Sequence, residues 1–415
     1  MAPRVTAGVL RIAQKPYLIV LVVIYGLLAL VAGRKLWSAI GTGIIPPLRI
    51  AQFGVFIFWT FIGLMAVLAC IGYPRGARVK SRALARAGIV NSAGDAPILL
   101  AVWRDRDNPR TMVYEFAPAD LPLSFWEAHV SEIEVALNIC ILSLRYREGK
   151  HRILIRCVSA EHDIPDYIEF AESVIPEQES ELALGIGLTG AVTIDLSKTA
   201  HVLIAGNSGS GKTALLRCLL RQAVHKEYVV YIADFKGGID YGRWWHNHAT
   251  IALDEADVCE LLKKLSAMLR QRLITLRAAG VSNIEQYNVN ADTLMPRVIV
   301  AFDEIAEALD KTGADKHRKE TIAELEQQLA TISRLGRACG IHLFVGVQRP
   351  DVNAVPAQIK ANLSYRCCSR ADNVLSMIAL DSTAAAEQIP KDSQGRFIDN
   401  LGRIYQSYFY KEEHE

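Results

Sequence analysis

Residues 201–213 read HVLIAGNSGSGKT, a short apolar run that leads directly into a glycine-rich turn. From Gly206 to Thr213 the turn satisfies the pattern G-x-x-x-x-G-K-[ST], in which consecutive backbone N–H groups curl around phosphate oxygens. Lys212 is placed to reach the β- and γ-phosphates, and Thr213 to offer its hydroxyl to Mg²⁺. The next residues, ALLRCLLRQAV, predict a helix whose positive N-terminal end faces the phosphates. The strand before the turn and the helix after it are the context that this motif requires, so the sequence predicts an ATP site. The predicted nucleotide-binding residues are Gly206, Asn207, Ser208, Gly209, Ser210, Gly211, Lys212 and Thr213.

A second segment, MPRVIVAFDE at residues 295–304, supports the same site. It is an apolar run that ends in Asp303 and Glu304, the form expected of a Walker B strand. Asp303 would join the Mg²⁺ shell and contact the bound nucleotide through it, and Glu304 would polarise the attacking water. Such a run is a weak signal alone, but it becomes a strong one when it follows a Walker A turn. The two segments together predict Mg²⁺-assisted ATP hydrolysis.

A further strand, IHLFVGVQ, ends at Gln348. It is the fourth in chain order, after the strands that end near Gly206, Asp234 and Asp303. A glutamate beside the Walker B aspartate is typical of P-loop ATPases in which this fourth strand lies between the two Walker strands. That position would put Gln348 near the γ-phosphate as a sensor; the alternative is a solvated glutamine at a strand end.

The composition excludes several classes of protein. Of the 415 residues 51% are hydrophobic and 22% are charged, so the chain is not a disordered or collagen-like polymer. Residues 1–90 carry eleven Lys or Arg and no acidic residue, which leaves 35 basic against 44 acidic residues for the remainder. Any DNA contact in that remainder must therefore be confined to local patches. The eight cysteines show no C-x-x-C spacing, which indicates buried thiols in a reducing compartment.

Two uncharged stretches, residues 16–33 and 50–74, are long enough to cross a membrane. A cleaved signal peptide is the alternative for the first, but a second span follows at once. Basic residues flank the pair on both outer sides, so the positive-inside bias predicts a hairpin with both termini cytoplasmic and an external loop containing Pro46-Pro47. The flanking residues are Arg4, Arg11 and Lys15 before the pair and Arg75, Arg78, Lys80, Arg82 and Arg86 after it.

Between residues 97 and 160 alternating apolar and polar residues predict a β-β-α-β-β unit. Its two hairpins are predicted to turn at Asp107-Asn108-Pro109 and at Glu148-Gly149-Lys150. The helix between them has Ser124 as its expected N-cap and Glu127 as the second residue of a capping box. The acidic stretch at 161–181 has the character of a linker.

Four stretches carry a family pattern: LALGIGLTGAVTIDLSKTAHVLIAGNSGSGKT, the D-x-K of IADFKGG, VIVAFDEIAEAL, and RACGIHLFVGVQRPDVNAVPAQIKANLSYR. In the last, G-I-H-L followed by Q-R-P and I-K-A-N is specific to one family rather than general to ATPases. Over roughly residues 95–410 the chain resembles the FtsK/SpoIIIE family of hexameric DNA translocases. The resemblance implies an α/β fold with a RecA-like P-loop ATPase core, preceded by a smaller α+β domain and here by a two-helix transmembrane hairpin. It also implies a hexameric ring around duplex DNA, with ATP between subunits.

In such rings an arginine from the neighbouring subunit stabilises the transition-state charge. Arg337, in the RACGIHL run, is the first candidate, and Arg334, about one turn earlier on the same predicted helix, is the second. The alternative for either is a surface arginine that pairs along its own helix.

Two basic segments are candidates for loops that hold DNA phosphates without reading bases. One follows Asp234, and the other is KTGADKHRK at residues 311–319. The predicted DNA contacts are Lys236, Arg243, Lys311, Lys316, Arg318 and Lys319. Solvated charged loops are the alternative.

The two predicted spans and the short C-terminal region differ from the four spans, long linker and winged-helix module of chromosome-segregation translocases. The layout is more similar to the Tcp-type coupling proteins of conjugative elements in Gram-positive bacteria. This resemblance favours a membrane-anchored translocase that couples DNA to a conjugative channel, with relaxosome and channel proteins as partners. The alternatives are a chromosome or plasmid DNA pump at division or sporulation, a type VII-like protein-secretion ATPase, and a non-hydrolysing scaffold. The complete set of Walker residues argues against the scaffold.

The expected organisation has four parts, and the expected cofactors are ATP and Mg²⁺. The parts are a membrane anchor at 1–75, a basic juxtamembrane linker at 76–94, a small α+β domain at 95–180 and the ATPase motor at 181–415.

Overall fold

The computed structural model describes residues 16–39, 46–72, 74, 76–106, 108–147, 149–348 and 355–411, with residues 5, 9 and 12 as isolated positions. The chain divides into two compact units, Met1–His162 and Asp163–Glu415. The first unit holds the apolar helices and a small sheet. The second holds the glycine-rich turn and a large sheet.

Two long apolar helices begin the first unit. Their bounds are Ile19–Ala39 for α1, which follows a 3₁₀ turn at Pro16–Leu18, and Pro46–Ile71 for α2. The Tyr25 hydroxyl donates to the Thr60 carbonyl over 2.9 Å, and Gly33 lies against Phe56, so the helices pair antiparallel. Both are long and apolar enough to cross a membrane, with a mean hydropathy of 2.4 in each candidate span.

Helix α2 begins before the second predicted span. Pro46-Pro47 lies in its first turn, ahead of the candidate span Ile50–Ile71. Proline is tolerated there because the N–H groups of a first helical turn have no intrahelical acceptor.

The rest of the first unit is an antiparallel sheet with short helices packed against it. In chain order its elements are α3 (Ala77–Arg86), β1 (Ile98–Arg104), β2 (Met112–Ala117), α4 (Leu123–Ala128), α5 (Val130–Leu137), β3 (Ile139–Arg147) and β4 (Arg152–Ser159). Over the described residues the strand order is β1-β2-β4-β3, which confirms both predicted hairpins. Phe116 and Trp126 are fully buried, with ring centroids 5.5 Å apart. Asp107 and Glu148 of the predicted turns lie outside the described residues.

The predicted capping box at Ser124 is wrong. Helix α4 starts without a side-chain cap, and the N–H of Leu123 donates to the Tyr146 hydroxyl over 2.7 Å. The predicted single helix also breaks at His129, whose Nδ1 bonds the Phe125 carbonyl at 2.8 Å and whose ring stacks on Phe125. A hydroxyl from a distant strand has thus replaced the local cap.

The second unit is built on a mixed sheet, which has ten strands in the part of the chain described. These are β5 (Glu181–Gly187), β6 (Gly190–Asp195), β7 (Val202–Ala205), β8 (Val229–Ala233), β9 (Thr250–Ala252), β10 (Val298–Phe302), β11 (Ile341–Val347), β12 (Tyr365–Cys368), β13 (Arg396–Asp399) and β14 (Ile404–Ser407). The order is β6-β5-β14-β13-β12-β7-β11-β10-β8-β9, and the strands from β12 to β9 run parallel. The fourth predicted strand, β11, lies between the two Walker strands, as the sequence predicted.

Helices cover both faces of the parallel strands. They are α6 (Lys212–His225), α7 (Arg243–His248), α8 (Glu255–Ala278), α9 (Ile284–Asn290), α10 (Ile305–Leu309), α11 (Lys316–Leu335), α12 (Ala357–Lys360), α13 (Asn373–Leu380) and α14 (Ala384–Gln388). Helix α6 packs on one face through Leu215 and Leu219, and α8 and α11 pack on the other through Leu265 and Leu329. Every residue of β7, β10 and β11 is therefore buried, as expected of a sheet covered on both sides. The α/β fold class is confirmed.

The acidic stretch predicted as a linker packs on the second unit from Asp163 onward. The N–H of Phe409 donates to the Ile168 carbonyl, and the N–H of Phe170 donates to the Phe409 carbonyl, both over 2.8 Å. The four-part division of the chain remains a prediction.

Candidate nucleotide site

The candidate site lies where the parallel strands β7, β8, β10 and β11 end. Gly206 follows β7, Asp234 follows β8, Asp303 and Glu304 follow β10, and Gln348 follows β11. Because parallel strands share one direction, their carboxyl ends meet at one sheet edge, where α/β proteins bind ligands. The fold thus brings the predicted Walker and sensor residues together.

The glycine-rich turn is held in shape by residues far along the chain. Lys212 and Ser210 are buried within it. The Ser210 carbonyl accepts hydrogen bonds from the Gly395 N–H at 2.9 Å and from the Ser369 hydroxyl at 3.0 Å. Gly211 has φ +100°, and a Cβ there would lie 2.9 Å from the Gly395 backbone, so both conformation and space require glycine.

Asp303 connects the two Walker motifs. One carboxylate oxygen accepts from the Thr213 hydroxyl and the other from the Lys236 ammonium, each over 2.8 Å. Burial by itself raises the pKa of Asp303, but the positive charge of Lys212 and these two hydrogen bonds outweigh it and hold the pKa below its ordinary value. The site therefore offers an ionised carboxylate beside a hydroxyl, which are the hard oxygen donors that Mg²⁺ prefers.

Glu304 is buried next to Asp303. One of its carboxylate oxygens accepts from the backbone N–H of Gln348 at 2.8 Å, and the other accepts from the Ala306 N–H at 3.4 Å. Burial raises the pKa of Glu304 above its ordinary value, although the nearby charge of Lys212 opposes the shift. A higher pKa makes the carboxylate a better proton acceptor, which a base that activates water requires.

Gly346 lets the ends of β10 and β11 approach closely. A Cβ at this position would lie 2.0 Å from the Asp303 carbonyl oxygen. A larger residue would push β11 away from β10 and would separate Gln348 from Glu304.

Lys236, one of the predicted DNA contacts, lies against the Walker B aspartate at the candidate nucleotide site. The carboxylate of Asp234 accepts the N–H groups of Lys236 and Gly238, both at 3.0 Å, and this turn folds the segment back over the sheet edge. The Lys236 ammonium then lies 2.8 Å from Asp303 and 3.7 Å from Asp240.

The other predicted DNA contacts divide into paired and unpaired residues. The pairs are Lys311 with Glu326 at 2.8 Å, Arg318 with Glu255 at 2.6 Å and Lys316 with Glu320 at 3.9 Å. Arg243 and Lys319 are exposed and form no ion pair with any residue that the structure describes. The second half of the 311–319 segment is the first turn of α11 rather than a loop, because Asp315 caps that helix.

The two candidate transition-state arginines lie on different elements. Arg334 is in the last turn of α11, whereas Arg337 begins a 3₁₀ turn, so the prediction of one shared helix is wrong. The helix ends because the Gly336 carbonyl accepts from the N–H of Ile341 at 2.9 Å, which turns the chain into β11. Both arginines are exposed, and neither forms an ion pair within the described ranges.

Arg370, which follows β12 at the same sheet edge, was not predicted from the sequence as a residue of the site. Its guanidinium donates to the carbonyls of Ser208 at 3.0 Å and Lys391 at 3.1 Å. Its own carbonyl accepts from the N–H of Asn207 at 3.0 Å. Arg370 therefore connects the glycine-rich turn to a segment near the C-terminus. The only sequence signal was a Ser-Arg pair after a short apolar run, and the pairing of that run with β7 is not visible locally.

Comparisons with known proteins agree with this geometry. The FtsK/SpoIIIE family model matches residues 177–352. The pCW3 conjugation coupling protein TcpA, solved in its monomer form with ATPγS, is 31% identical, with a TM-score of 0.59 over 81% of this chain and 96% of that chain. The chain belongs to the FtsK/SpoIIIE family. The resemblance read from the motifs, including its Tcp-type branch, is confirmed.

Curated FtsK/SpoIIIE relatives match about half to two thirds of the chain. DNA translocase FtsK of Helicobacter pylori strain J99 is 28% identical over 307 residues, which are 68% of this chain and 35% of that protein. DNA translocase SpoIIIE of Bacillus subtilis strain 168 is 28% identical over 238 residues, 52% of this chain and 29% of that protein. The chain thus spans about a third of the length of these relatives. EssC (ATPases 2 and 3) from Geobacillus thermodenitrificans, 18% identical with a TM-score of 0.51, covers 61% of this chain and 49% of that chain, and it shares the fold.

Proposed function

We propose that the protein is a membrane-anchored, hexameric, ATP-driven DNA translocase that couples DNA to a conjugative secretion channel. One observation carries the ATP-driven part of the proposal: the Thr213 hydroxyl lies 2.8 Å from Asp303, with Lys212 and Glu304 buried at the same edge. The similarity to TcpA supports the conjugative assignment.

The proposed cofactors are ATP and Mg²⁺. Lys212 and the N–H groups of the glycine-rich turn bind the phosphates, while Thr213 and Asp303 are the residues that would hold Mg²⁺. When bound, the metal neutralises charge that develops on the phosphates. Glu304 orients the attacking water and accepts its proton, and the backbone of Gln348 fixes the carboxylate for that task. The Gln348 side chain, half-buried beside it, is the proposed γ-phosphate sensor.

The proposed ring places each ATP between two subunits, so that an arginine of one subunit completes the site of the next. Arg337 and Arg334 remain the candidates, and their exposure without a partner in the described residues supports a role at a subunit contact. The proposal requires one of them to reach the neighbouring nucleotide.

Duplex DNA is the proposed substrate, held by its phosphates without regard to sequence. Arg243 and Lys319 are the strongest contacts proposed, because no described carboxylate competes for them. Lys311, Lys316 and Arg318 can contribute by exchanging an intramolecular carboxylate for a phosphate. Lys236 is the weakest, since its ammonium is held at Asp303.

We also propose that α1 and α2 form a transmembrane hairpin with both termini in the cytoplasm. Their length, their hydropathy and the basic residues on both outer sides support this topology. Relaxosome and channel proteins are the proposed partners.

A DNA pump that acts on a chromosome or plasmid at division or sporulation is the second candidate. The curated relatives, named DNA translocases FtsK, SftA and SpoIIIE, favour it. The likeness to EssC concerns the fold alone. A protein-secretion ATPase is the third hypothesis.

ATP hydrolysis by the full-length protein in nanodiscs, with duplex DNA, single-stranded DNA or none, tests the DNA motor. We expect stimulation by duplex DNA that fades as salt rises from about 0.05 to 0.2 M, because phosphate contacts release counterions. Glu304→Gln should bind ATP and show no stimulated hydrolysis. If an assembled, ATP-binding protein is stimulated by neither DNA, the DNA motor is refuted and a protein-secretion ATPase takes its place.

A further inference from the structure

Helix α3 (Ala77–Arg86) presents a stripe of arginines to solvent. Arg78, Arg82 and Arg86 are spaced four residues apart, which places them on one side of the helix, and all three are exposed. Val79 lies on the same side and is 70% exposed. We call these four residues the α3 stripe. Arg82 and Arg86 form no ion pair with any described residue.

The opposite side of α3 is fixed to the small sheet, so the helix cannot roll. Ala77 and Leu84 are fully buried in the core of the unit. At the C-terminal end the N–H of Ile89 donates to the Leu84 carbonyl over 3.0 Å, and the N–H of Gly88, at φ +80°, donates to the Ala85 carbonyl over 3.1 Å. This Schellman cap buries Ile89 next to Leu84.

A cation–π contact fixes the rotation of the helix as well. The Lys80 ammonium lies 4.9 Å from the centre of the Tyr114 ring. Burial lowers the pKa of Lys80. Lys80 is therefore directed to the sheet, and the exposed stripe, in which Arg82 and Arg86 form no ion pair with a described residue, is left to meet another surface.

The position of α3 in the chain limits which surface that can be. Helix α2 ends at Ile71, and five residues separate it from Ala77. A chain extends at most about 3.6 Å per residue, so α3 begins within about 20 Å of the end of the second span. The cytoplasmic leaflet at that end carries anionic lipids. Residues 1–90 contain no acidic side chain that could compete for the arginines from the same segment.

We infer that the α3 stripe binds the anionic headgroups of the cytoplasmic leaflet and so holds the small domain against the membrane. The inference rests on the proposed membrane topology. Val79 favours a membrane over DNA phosphates, because an apolar side chain among basic ones suits the boundary between headgroups and acyl chains. The ligand class is thus an anionic phospholipid surface.

Hydrogen exchange of the full-length protein tests the inference. The protein is placed in nanodiscs of phosphatidylcholine alone or mixed with phosphatidylglycerol, and exchange of the α3 amides is compared. Each basic residue near an anionic surface strengthens the attraction about fivefold, so we expect exchange about tenfold slower or more in the anionic discs. High salt should remove the difference.

A matched pair of variants assigns the effect to the stripe. Replacing Arg78, Arg82 and Arg86 by Gln should abolish the lipid dependence. Replacing the exposed Arg104, Arg106 and Arg110 by Gln removes the same charge from the same unit and should leave it unchanged. In neutral discs the α3 amides should exchange at the same rate in the wild type and in both variants. Equal rates would show that the substitutions leave the fold intact.

Several results would overturn the inference. One is equal α3 exchange in neutral and anionic discs; another is lipid dependence that survives loss of the stripe. Slowing by added duplex DNA but not by anionic lipid would assign the stripe to DNA instead. Failure to enter nanodiscs would refute the proposed membrane anchor, and the inference with it. That result is distinguishable from insertion without lipid-dependent exchange.

Discussion

At the scale of single residues, some members of the candidate site could be predicted from the spacing of motifs, and others are identified only by the fold. Lys212, Thr213, Asp303 and Glu304 could be predicted because each belongs to a short motif whose spacing is set by backbone contacts to phosphate. Arg370 could not, because it reaches Ser208 only after the chain has crossed the sheet. Local pattern carries no information on such a contact.

Arg370 gives a prediction at this scale. Arg370→Gln should raise the KM for ATP about fivefold with little change in kcat, because the lost hydrogen bonds shape the glycine-rich turn rather than touch the reacting atoms. Steady-state ATP hydrolysis measures both constants.

Arg366→Gln is the matched control for that variant. Arg366 lies on β12, the strand that precedes Arg370, but it pairs with Asp381 rather than with the turn. Equal KM values for the two variants would contradict a positioning role for Arg370.

At the scale of elements, the order of the parallel strands was predictable and the helix ends were not. The glutamate beside Asp303 indicated that β11 lies between β7 and β10, and the sheet has that order. The start of α4 was mispredicted because the Tyr146 hydroxyl, from β3, accepts from the N–H of Leu123, so the helix begins one residue before Ser124. A tertiary contact decided that boundary.

Two histidines connect the other end of the same parallel strands. His342 bonds the Ala200 carbonyl through Nδ1 at 2.8 Å, and its Nε2 lies 3.2 Å from the Arg297 guanidinium. His201 bonds the Ser333 carbonyl through Nε2 at 2.8 Å. Burial lowers the pKa of His201 to about 4, and burial together with the charge of Arg297 lowers the pKa of His342 to about 3.

These shifts predict acid sensitivity of the second unit. Below about pH 6.5 the two histidines bind protons in the unfolded chain but stay neutral in the folded one. As the pH falls, the free energy of unfolding therefore decreases by up to about 1.4 kcal/mol per pH unit for each histidine. Above that pH neither state takes the proton, and the effect is absent. Urea unfolding at about pH 7.5 and about pH 5.5 measures the difference.

A variant separates this effect from other titrating groups. His342→Gln can still donate to the Ala200 carbonyl and should lose less stability than the wild type between the two pH values. His225→Gln, on the exposed side of α6, should follow the wild type. Equal losses for both variants would show that His342 does not govern the acid transition.

At the scale of the whole molecule, assembly decides whether the edge of the sheet is a complete active site. The described residues of one chain supply the glycine-rich turn, the carboxylates and the proposed sensor, while Arg334 and Arg337 lie exposed without an ion-pair partner among those residues. The sequence could not settle which arginine acts, because that depends on the neighbouring subunit's position and not on any local pattern.

Mixing two inactive variants tests the shared site. Glu304→Gln lacks the proposed base and Arg337→Ala lacks the proposed arginine, so each should hydrolyse ATP at least about a hundredfold more slowly than the wild type. In rings assembled from equal amounts of both, about one interface in four joins an intact Glu304 to an intact Arg337 from the next subunit, and activity should return to that extent. If Arg337 acted within its own subunit, every site in the mixture would carry one defect and no activity would return. The same mixture made with Arg334→Ala decides between the two arginines. Only the variant that lacks the arginine acting across the interface should be inactive alone and regain activity in the mixed ring.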